Sequence, residues 1–244
     1  WTLFTEYFLK GRPPGRCLEV GCGRGSISSY FADHGWDCTL LDYSKSVLET
    51  AHAVYATNGH SAHFVDGDAF RLPLKYGSYD VVVSIGLLEH FEDIRAIMAE
   101  QVRILKPGGM FLGYVVPENP RSSTRWFRWL NSLLGGFHRV FLGGKAKAPK
   151  PEVYRSDLGP DLYLQNLEGL PLTNLRAFGM YPMPMISHSI DFPFSLMHPL
   201  FEIPLTWTFR VILFLRRMLY GRHPWECGEK TGQAFLVAGV RATN

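Results

Sequence analysis

The sequence predicts an α/β fold in which helices cover both faces of a mostly parallel sheet. Short apolar runs alternate with helical patterns along the first half of the chain. The run Tyr79–Ser84 (YDVVVS) is almost continuously β-branched, as in a strand that is buried on both faces. A glycine-rich segment, LEVGCGRGS over residues 18–26, joins the first strand to the first helix. Together these features predict a doubly wound sheet with a ligand-binding turn at its edge.

The first strand and the turn after it form the most informative segment. Apolar residues around position 18 predict a buried strand, and residues 26–31 can begin a helix. Glycine in such a turn permits positive φ and lets a ligand approach the main chain, although a tight turn can also need glycine for steric reasons alone. The pattern ExGxGxG consists of Glu19, Gly21, Gly23 and Gly25.

The second strand ends in an acidic residue. Residues Trp36–Leu41 predict the strand, Asp42 follows it, and Ser44 is placed to cap the next helix. An acid at this position holds ribose hydroxyls in nucleotide-binding sheets. Methyl donors and NAD both contain that ribose, so Asp42 predicts an adenosine ligand without choosing between them.

A second acid follows the third strand, which is predicted over Ala62–Val65. The segment after it reads DGDAFRLPL, in which Asp68 can accept a hydrogen bond from an exocyclic amine. Ala69 and Phe70 would supply a flat apolar wall beside that amine.

The fourth strand leads into IGLLEHFED and then into an amphipathic helix predicted over Asp93–Leu105. The sequence KPGG over residues 106–109 ends that helix, and Met110–Val116 predicts the fifth strand. Two further strands are predicted over Asn174–Tyr181 and Ala234–Arg241. Between them, the proline-rich stretch 182–204 argues against a regular helix, whereas Thr206–Tyr220 predicts an amphipathic basic helix.

From Cys17 to Val116 this arrangement resembles the class I S-adenosylmethionine-dependent methyltransferases. The resemblance implies a Rossmann-like, mostly parallel sheet of seven strands, with an antiparallel last strand and helical inserts around strands 5 to 7. It implies S-adenosylmethionine as the cofactor and S-adenosylhomocysteine as the product. It also implies one methyltransferase domain over 1–244, with a donor-binding half at 1–117 and inserts at 118–173 and 182–232 that form the acceptor pocket or a lid.

The resemblance assigns donor binding to the glycine loop, to the acids after the second and third strands, and to the end of the fourth strand. The cofactor-binding residues are then Glu19, Gly21, Cys22, Gly23, Gly25, Asp42, Tyr43, Asp68, Ala69, Ser84 and Ile85. Ser84–His90 would border the reacting centre, because ligands sit beyond the carboxyl ends of the strands.

Three histidines are candidates for a general base, since imidazole exchanges protons near neutral pH. His90 lies closest to the predicted edge of the sheet, and His188 and His198 lie in the proline-rich insert. A histidine at the position of His90 can instead bond the backbone of its own loop. An acidic acceptor, such as a carboxylate, would need no base.

Charge is unevenly distributed along a chain whose formal net charge is only +3. Residues 1–118 carry a net charge of −4, and residues 119–244 carry +7. Seven basic residues and no acid are interleaved with aromatic residues over Asn119–Pro151. The segments 119–150 and 206–220 therefore predict either peripheral contact with an anionic or lipid-like surface, or solvated cationic faces on helices that pack their aromatics inward.

Cysteine usage and hydropathy bear on the compartment. The four cysteines show neither CxxC nor Cys/His spacing, so we expect no metal site and no disulfide framework. No apolar run approaches the roughly 20 residues that span a bilayer. We expect a cytoplasmic location, either free or peripheral to a membrane, although the missing signal peptide counts for little in a chain that begins at Trp1.

The expected activity is methyl transfer by in-line displacement to a small-molecule or lipid-like acceptor, most simply at oxygen. Nucleic acid is disfavoured as an acceptor, because SIGLLEH lacks the Asn/Asp-Pro-Pro-aromatic motif, but the basic segment keeps an RNA methyltransferase as an alternative. An NAD-dependent oxidoreductase would place its glycines as GxGxxG instead. A donor-binding scaffold without turnover is the third alternative, and the sequence leaves the oligomeric state open.

Overall fold

The structure, a computed structural model, describes residues 1–118, 154–180, 199–228, 232 and 234–243, without the side chains of residues 199–206 and 209. The chain divides into two compact units. The first comprises Trp1–Glu118, Tyr154–Phe178 and Ala234–Asn244, and the second comprises Asn119–Val153 and Gly179–Gln233. A single methyltransferase domain over 1–244 stays a prediction.

Strands and helices alternate through the first 115 residues, as the sequence predicts. An N-terminal helical segment combines an α-helical turn with a π-helical one, and a 3₁₀ turn follows the fourth strand. The elements are α1 (Thr2–Phe4, continued by the π-helix Thr5–Leu9), β1 (Arg16–Val20), α2 (Ser26–Asp33), β2 (Asp37–Asp42), α3 (Lys45–Thr57), β3 (His63–Asp66), β4 (Tyr79–Ile85), the 3₁₀ turn Leu88–His90, α4 (Ile94–Ile104) and β5 (Leu105–Val115).

Fewer elements are described in the remainder of the chain. They are α5 (Pro160–Leu167), β6 (Leu172–Met180), α6 (Pro199–Tyr220), β7 (Glu226–Cys227) and β8 (Ala234–Arg241). The predicted sixth and last strands are thus confirmed, the first with its start two residues earlier and the second with the same bounds.

The strands form one sheet in the order β3-β2-β1-β4-β5-β8-β6-β7. Each pair between neighbouring strands from β3 to β5 is parallel, and β8 runs antiparallel to β5. This confirms the predicted mostly parallel sheet with an antiparallel last strand. Among the residues that the structure describes, the sheet has eight strands rather than seven, because the two-residue strand β7 pairs with Gly179 and Met180 in the second unit.

One face of the sheet is packed by α4 and α5. Ile97 and Met98 of α4 and Tyr163 of α5 are fully buried in one cluster with Val82 and Phe111 of the sheet. This burial explains the almost continuous apolar run of β4 and the apolar stripe of α4. The strands of the first unit, and therefore their ends, are held in place by this closely packed core.

Helices α3 and α4 begin where the sequence predicts, but the predicted side-chain cap of α3 does not form. Asp93 caps α4, since its Oδ1 accepts a hydrogen bond from Ala96 N at 3.0 Å. Ser44 occupies the N-cap of α3, but its hydroxyl bonds Ser46 Oγ at 3.1 Å instead of a backbone N–H. Both helices begin where predicted, and only α4 has a side-chain cap.

The proline-rich insert corrects one prediction. Helix α6 begins at Pro199, so residues 199–204 are helical although the prolines argued against a regular helix there. Pro199 stands at the first helical position, where no backbone hydrogen bond is lost. Pro204 costs one such bond in the second turn, which the remaining five turns outweigh. The predicted helix Thr206–Tyr220 lies within α6, and residues 182–198 lie outside the described residues.

Candidate functional site

The loop between β1 and α2 holds three glycines in the left-handed region, with φ of 66° at Gly21, 53° at Gly23 and 71° at Gly25. Two of them are packed against protein. A Cβ on Gly21 would come within 2.6 Å of Leu87 Cδ1, and one on Gly25 would overlap Leu40. The steric reason for glycine therefore applies to these two positions.

Gly23 differs from its neighbours because a Cβ placed on it would meet no atom within 4 Å. Its main chain thus borders open space at the carboxyl edge of the parallel strands. Ligands of doubly wound sheets bind at that edge. The loop consequently leaves room for a ligand, such as an adenosine-containing cofactor, to approach the main chain at its middle glycine.

The loop is held against β2 from beneath. Gly21 N and Cys22 N both donate hydrogen bonds to Leu41 O, at 2.8 and 3.0 Å. Cys22 is buried, and burial raises the pKa of its thiol to about 12, so the thiol is neutral. These bonds fix the loop beside the end of β2, where the first predicted acid stands.

Asp42 contacts the loop directly. Its Oδ2 accepts a hydrogen bond from Gly23 N at 3.3 Å, and its Oδ1 accepts one from Ser44 N at 3.0 Å. A carboxylate oxygen has more than one lone pair, so both atoms can accept further bonds. The next side chain, Tyr43, is 83% exposed. The structure thus brings together an acid, an aromatic ring and the open loop.

Glu19 lies in the interior instead. Its side chain is buried, and its Oε2 accepts hydrogen bonds from Ser28 N at 3.0 Å and from Ser28 Oγ. Burial raises the pKa of Glu19 to about 7. The carboxyl therefore ties β1 to the first turn of α2 and supports the loop from below.

Replacing Glu19 with glutamine is expected to change how stability depends on pH. Because the folded state keeps the proton up to pH about 7 while the unfolded chain releases it near 4.5, the parent loses stability as pH rises through that window. The full shift corresponds to about 3 kcal/mol at most. Urea unfolding at pH 5 and pH 8 should show a smaller fall for Glu19→Gln than for the parent; equal falls would contradict the assignment.

The second acid is close to the first in the sheet. Asp42 pairs in register with Asp66 of β3, and Gly67 N donates to Asp42 O at 3.2 Å. One residue later, Asp68 Oδ1 accepts a hydrogen bond from Phe70 N at 2.9 Å. Asp68 therefore follows the end of β3, which lies beside the end of β2 that carries Asp42, and it stands in a tight turn of its own.

An apolar wall follows this turn. Ala69 is buried, whereas Phe70 is 41% exposed and packs edge-to-face on Phe91 with ring centroids 5.4 Å apart. Phe70 and Phe91 thus form an aromatic pair beside the turn, and Phe91 was not singled out by the sequence; the wall at Ala69 and Phe70 stays a prediction.

Ser84 and Ile85 stand at the end of β4. Ser84 is fully buried, and its Oγ has no hydrogen-bond partner among the described residues. Ile85 is half-buried, and Gly86 then turns the chain with φ 64° while its N–H bonds Tyr114 O at 2.8 Å. The Ser84 side chain consequently does not reach the surface of the loop.

His90 ends the 3₁₀ turn and is bonded to a distant segment. Its Nδ1 lies 2.7 Å from Tyr154 O. A carbonyl oxygen only accepts, so Nδ1 carries the proton and the neutral ring keeps a lone pair on Nε2. The alternative to a catalytic role was that the ring bonds the backbone of its own loop. It does bond backbone, but that of residue 154.

Glu89 is a residue that sequence reasoning missed. It is 1% exposed, its Oε1 accepts from Val116 N at 3.2 Å, and burial raises its pKa. Its carbonyl oxygen accepts from Ser156 N at 2.8 Å, while Ser156 O accepts from Glu118 N at 2.9 Å. These bonds join the ends of segment 119–153 beside the 3₁₀ turn, a long-range closure for which the sequence carries no local signal.

The other candidate bases, His188 and His198, lie outside the described residues, as does segment 119–153. Among the residues that the structure does describe, no group of three or more His, Cys, Asp or Glu side chains could hold a metal ion. Within the same residues, no helix is both long and apolar enough to cross a bilayer.

The strand order, with β8 antiparallel to β5, and the glycine loop at the end of β1 define a Rossmann-like domain with the class I methyltransferase arrangement. Residues 18–113 match a protein family described as a methyltransferase domain. In sequence and in fold, this part of the chain is therefore similar to the class I S-adenosylmethionine-dependent methyltransferases, enzymes whose cofactor is S-adenosylmethionine.

Curated relatives share the same region. A demethylmenaquinone methyltransferase of Beutenbergia cavernae is 34% identical over 157 residues, which cover 63% of this chain and 61% of the relative. A malonyl-[acyl-carrier protein] O-methyltransferase of Enterobacter lignolyticus is 33% identical over 102 residues, or 42% of this chain and 39% of that one. The chain thus spans less than two thirds of the length of these relatives.

A solved structure shows the same fold. The YcgJ protein of Bacillus subtilis superposes with a TM-score of 0.61 over 100% of this chain and 98% of its own, at 19% identity. At that identity the likeness concerns the fold alone.

Proposed function

We propose that this chain transfers a methyl group from S-adenosylmethionine to a small-molecule or lipid-like acceptor, at an oxygen atom. The observation that carries the proposal is the open space beside Gly23, which adjoins Asp42 at the carboxyl edge of the sheet. This space distinguishes Gly23 from Gly21 and Gly25, which share its positive φ but have protein side chains where a Cβ would stand. The match of residues 18–113 to a methyltransferase domain supports methyl transfer as the chemistry.

The donor-binding roles follow from position. The main chain at Gly23 approaches the cofactor, Asp42 accepts bonds from its ribose hydroxyls, and Asp68 accepts a bond from its adenine amine. Ala69 and the exposed ring of Tyr43 offer apolar contact to the adenosine.

The remaining predicted residues are proposed to act through their backbone or by supporting the loop, and not through side-chain contact with the cofactor. Gly21 and Gly25 are proposed to bind only through the backbone conformation that they permit, and Ser84 and Ile85 through the main chain at the end of β4. Buried Glu19 supports the loop through Ser28, and buried Cys22 supports it through Leu41.

When bound, S-adenosylmethionine supplies an electrophilic methyl group on a sulfonium centre. The chain has to align the acceptor, exclude water and, for a neutral hydroxyl, remove a proton. His90 is suited to the last task, because its bond to Tyr154 O leaves Nε2 as the basic atom. His188 and His198 remain alternatives for the same task.

The acceptor class draws support from the relatives. One is named for demethylmenaquinone and the other for O-methylation of a malonyl carrier protein, which favours small or lipid-like acceptors and, in the second case, oxygen. We propose that residues 118–173 and 182–232 form the acceptor pocket or lid. The proposal includes a cytoplasmic location and peripheral membrane contact through 119–150 and 206–220.

Calorimetric titration of the purified protein with S-adenosylmethionine, S-adenosylhomocysteine and NAD tests the donor. Binding of the first two without the third is expected. Binding of NAD alone would overturn the proposal in favour of an oxidoreductase. Donor binding without turnover of any acceptor, beginning with amphiphilic phenols and carboxylates, would point to a scaffold, and turnover of RNA would replace the acceptor class.

Two variants separate a catalytic role of His90 from a positioning role. His90→Asn keeps an N–H where Nδ1 now donates to Tyr154 O, but it removes the basic Nε2. His90→Gln removes the titrating group as well, without that geometry. If His90 is the base, both variants lose the alkaline-rising limb of the pH–rate profile. Recovery of activity in His90→Asn alone would show that the bond to residue 154 is what matters.

A further inference from the structure

Helix α6 in the second unit exposes one continuous apolar face. The exposed side chains recur at spacings of three, four and one, which place them along one side of a helix. Phe214 is 62% exposed and Met218 is 69% exposed, values that are unusual for large apolar side chains. The face, called the α6 stripe below, consists of Trp207, Val211, Phe214, Leu215, Met218 and Leu219.

Positive charge borders this stripe. Arg210 and Arg217 are exposed and lie seven residues apart, so two helical turns bring them to the same edge of the stripe. From Trp207 to Arg222 the sequence holds four arginines and no acidic residue. The exposed face of α6 is therefore both apolar and cationic.

The opposite side of α6 is attached to the chain that follows it. Arg216 donates from Nε to Pro224 O at 3.2 Å and from Nη2 to Glu226 O at 3.0 Å. Its guanidinium also lies 5.3 Å from the centre of the Tyr220 ring. Arg216 thus anchors the helix from the side away from the stripe, and the stripe faces outward.

We propose that the α6 stripe docks on the surface of a bilayer that contains anionic lipid. A helix with an apolar face that includes the exposed rings of Trp207 and Phe214, and with arginines along its edge, has the composition of helices that lie in the plane of the membrane interface. The positive charge beside the stripe favours an anionic membrane over a second copy of the chain as the surface that covers it. A second copy would bring its own arginines against these, whereas anionic headgroups neutralise them.

This inference deepens the proposed function. It rests on that function only for what the docking would achieve, which is access to a lipid-like acceptor. A lipid-like acceptor would reach the enzyme at the surface on which α6 lies. The docking itself needs neither donor nor acceptor, so it can be measured alone.

The test is cosedimentation of the full chain with vesicles of phosphatidylcholine alone and of phosphatidylcholine mixed with phosphatidylglycerol. We expect binding to the anionic vesicles that weakens at high salt. Met218→Glu should weaken it by about tenfold or more, because a charge then enters the buried face. The matched control Leu162→Glu changes an exposed apolar residue of α5, and it should bind like the parent. Arg210→Gln should reduce the preference for anionic lipid.

Three results would overturn the proposal. They are no binding of the parent, equal binding of Met218→Glu and the parent, and a dimer in light scattering that Met218→Glu dissociates without any vesicle binding. Titration of the same preparations with S-adenosylmethionine keeps the two proposals apart. Donor binding without vesicle binding refutes the docking, and with it the membrane contact through 206–220, but leaves the proposed methyl transfer in place. Vesicle binding without donor binding refutes the proposed methyl transfer alone.

Discussion

Gly23→Val is expected to abolish binding of S-adenosylmethionine while the protein stays folded. Valine would place its branched side chain in the open space beside the loop, where the cofactor must approach the main chain. The left-handed φ of 53° adds a local cost of about 1–2 kcal/mol, which a protein of this size tolerates. Calorimetry with the donor measures the loss, and circular dichroism reports the fold.

A matched control separates the filled space from the backbone strain. Gly59 follows α3, has a φ of 71° and likewise has no atom within 4 Å of an added Cβ. Gly59→Val therefore imposes a comparable strain in a place remote from the loop, and it should bind the donor like the parent. If Gly23→Val retained affinity, the loop would be a structural turn and the donor site would lie elsewhere.

Asp42→Ala is expected to weaken donor binding by about 1–3 kcal/mol, the cost of losing charge-assisted hydrogen bonds. The structure adds a second reason, because Asp42 also accepts from Gly23 N and Ser44 N and so holds the loop in place. Asp42→Asn retains an acceptor oxygen for one of these two bonds but lacks the charge. A smaller loss in Asp42→Asn than in Asp42→Ala would measure the share that comes from holding the loop.

Asp66→Ala is the control for this variant. Asp66 stands opposite Asp42 in the register of β2 and β3, and it forms only a surface ion pair with Lys45 at 3.6 Å. Such a pair contributes about 0–1 kcal/mol to stability. An unchanged dissociation constant for Asp42→Ala, or an equal loss in both variants, would remove the ribose assignment from Asp42.

Much of the first unit was predictable because its signals are local. The apolar runs around Leu18 and Val82 predict buried strands wherever the chain packs, and the acid at position 42 follows its strand by one residue. Parallel pairing then carries Asp42 and Asp68 to the same edge of the sheet without any further information. For that reason the fold class and the place of the candidate site follow from the order of the residues.

Roles within the site were less predictable. The motif groups Glu19 with the glycines, but Glu19 is buried against Ser28, and only Gly23 of the three glycines borders open space. Spacing reports which residues are close in the chain, whereas these distinctions depend on what packs behind each one. The same reason explains why Ser84 is buried although it stands at the correct strand end.

In the second half of the chain, too, the sequence predicted an element but not its surroundings. Periodicity predicted an amphipathic basic helix over Thr206–Tyr220, but it could not show whether the apolar face packs inward or is exposed, and the prolines before it concealed the true start at Pro199. Local propensity is a weak guide where the rest of a helix outweighs two unfavourable residues.

By itself, the sequence determined the alternation of strands and helices, the glycine loop, the two acids and the resemblance to a methyltransferase domain, because each depends on residues within a few positions of one another. Only the tertiary structure decided which glycine faces open space, that Glu19 holds α2, that His90 and Glu89 are bonded to residues 154–156, and that α6 exposes its apolar face. These features arise from contacts between segments far apart in the chain, and such contacts leave no pattern in the local sequence.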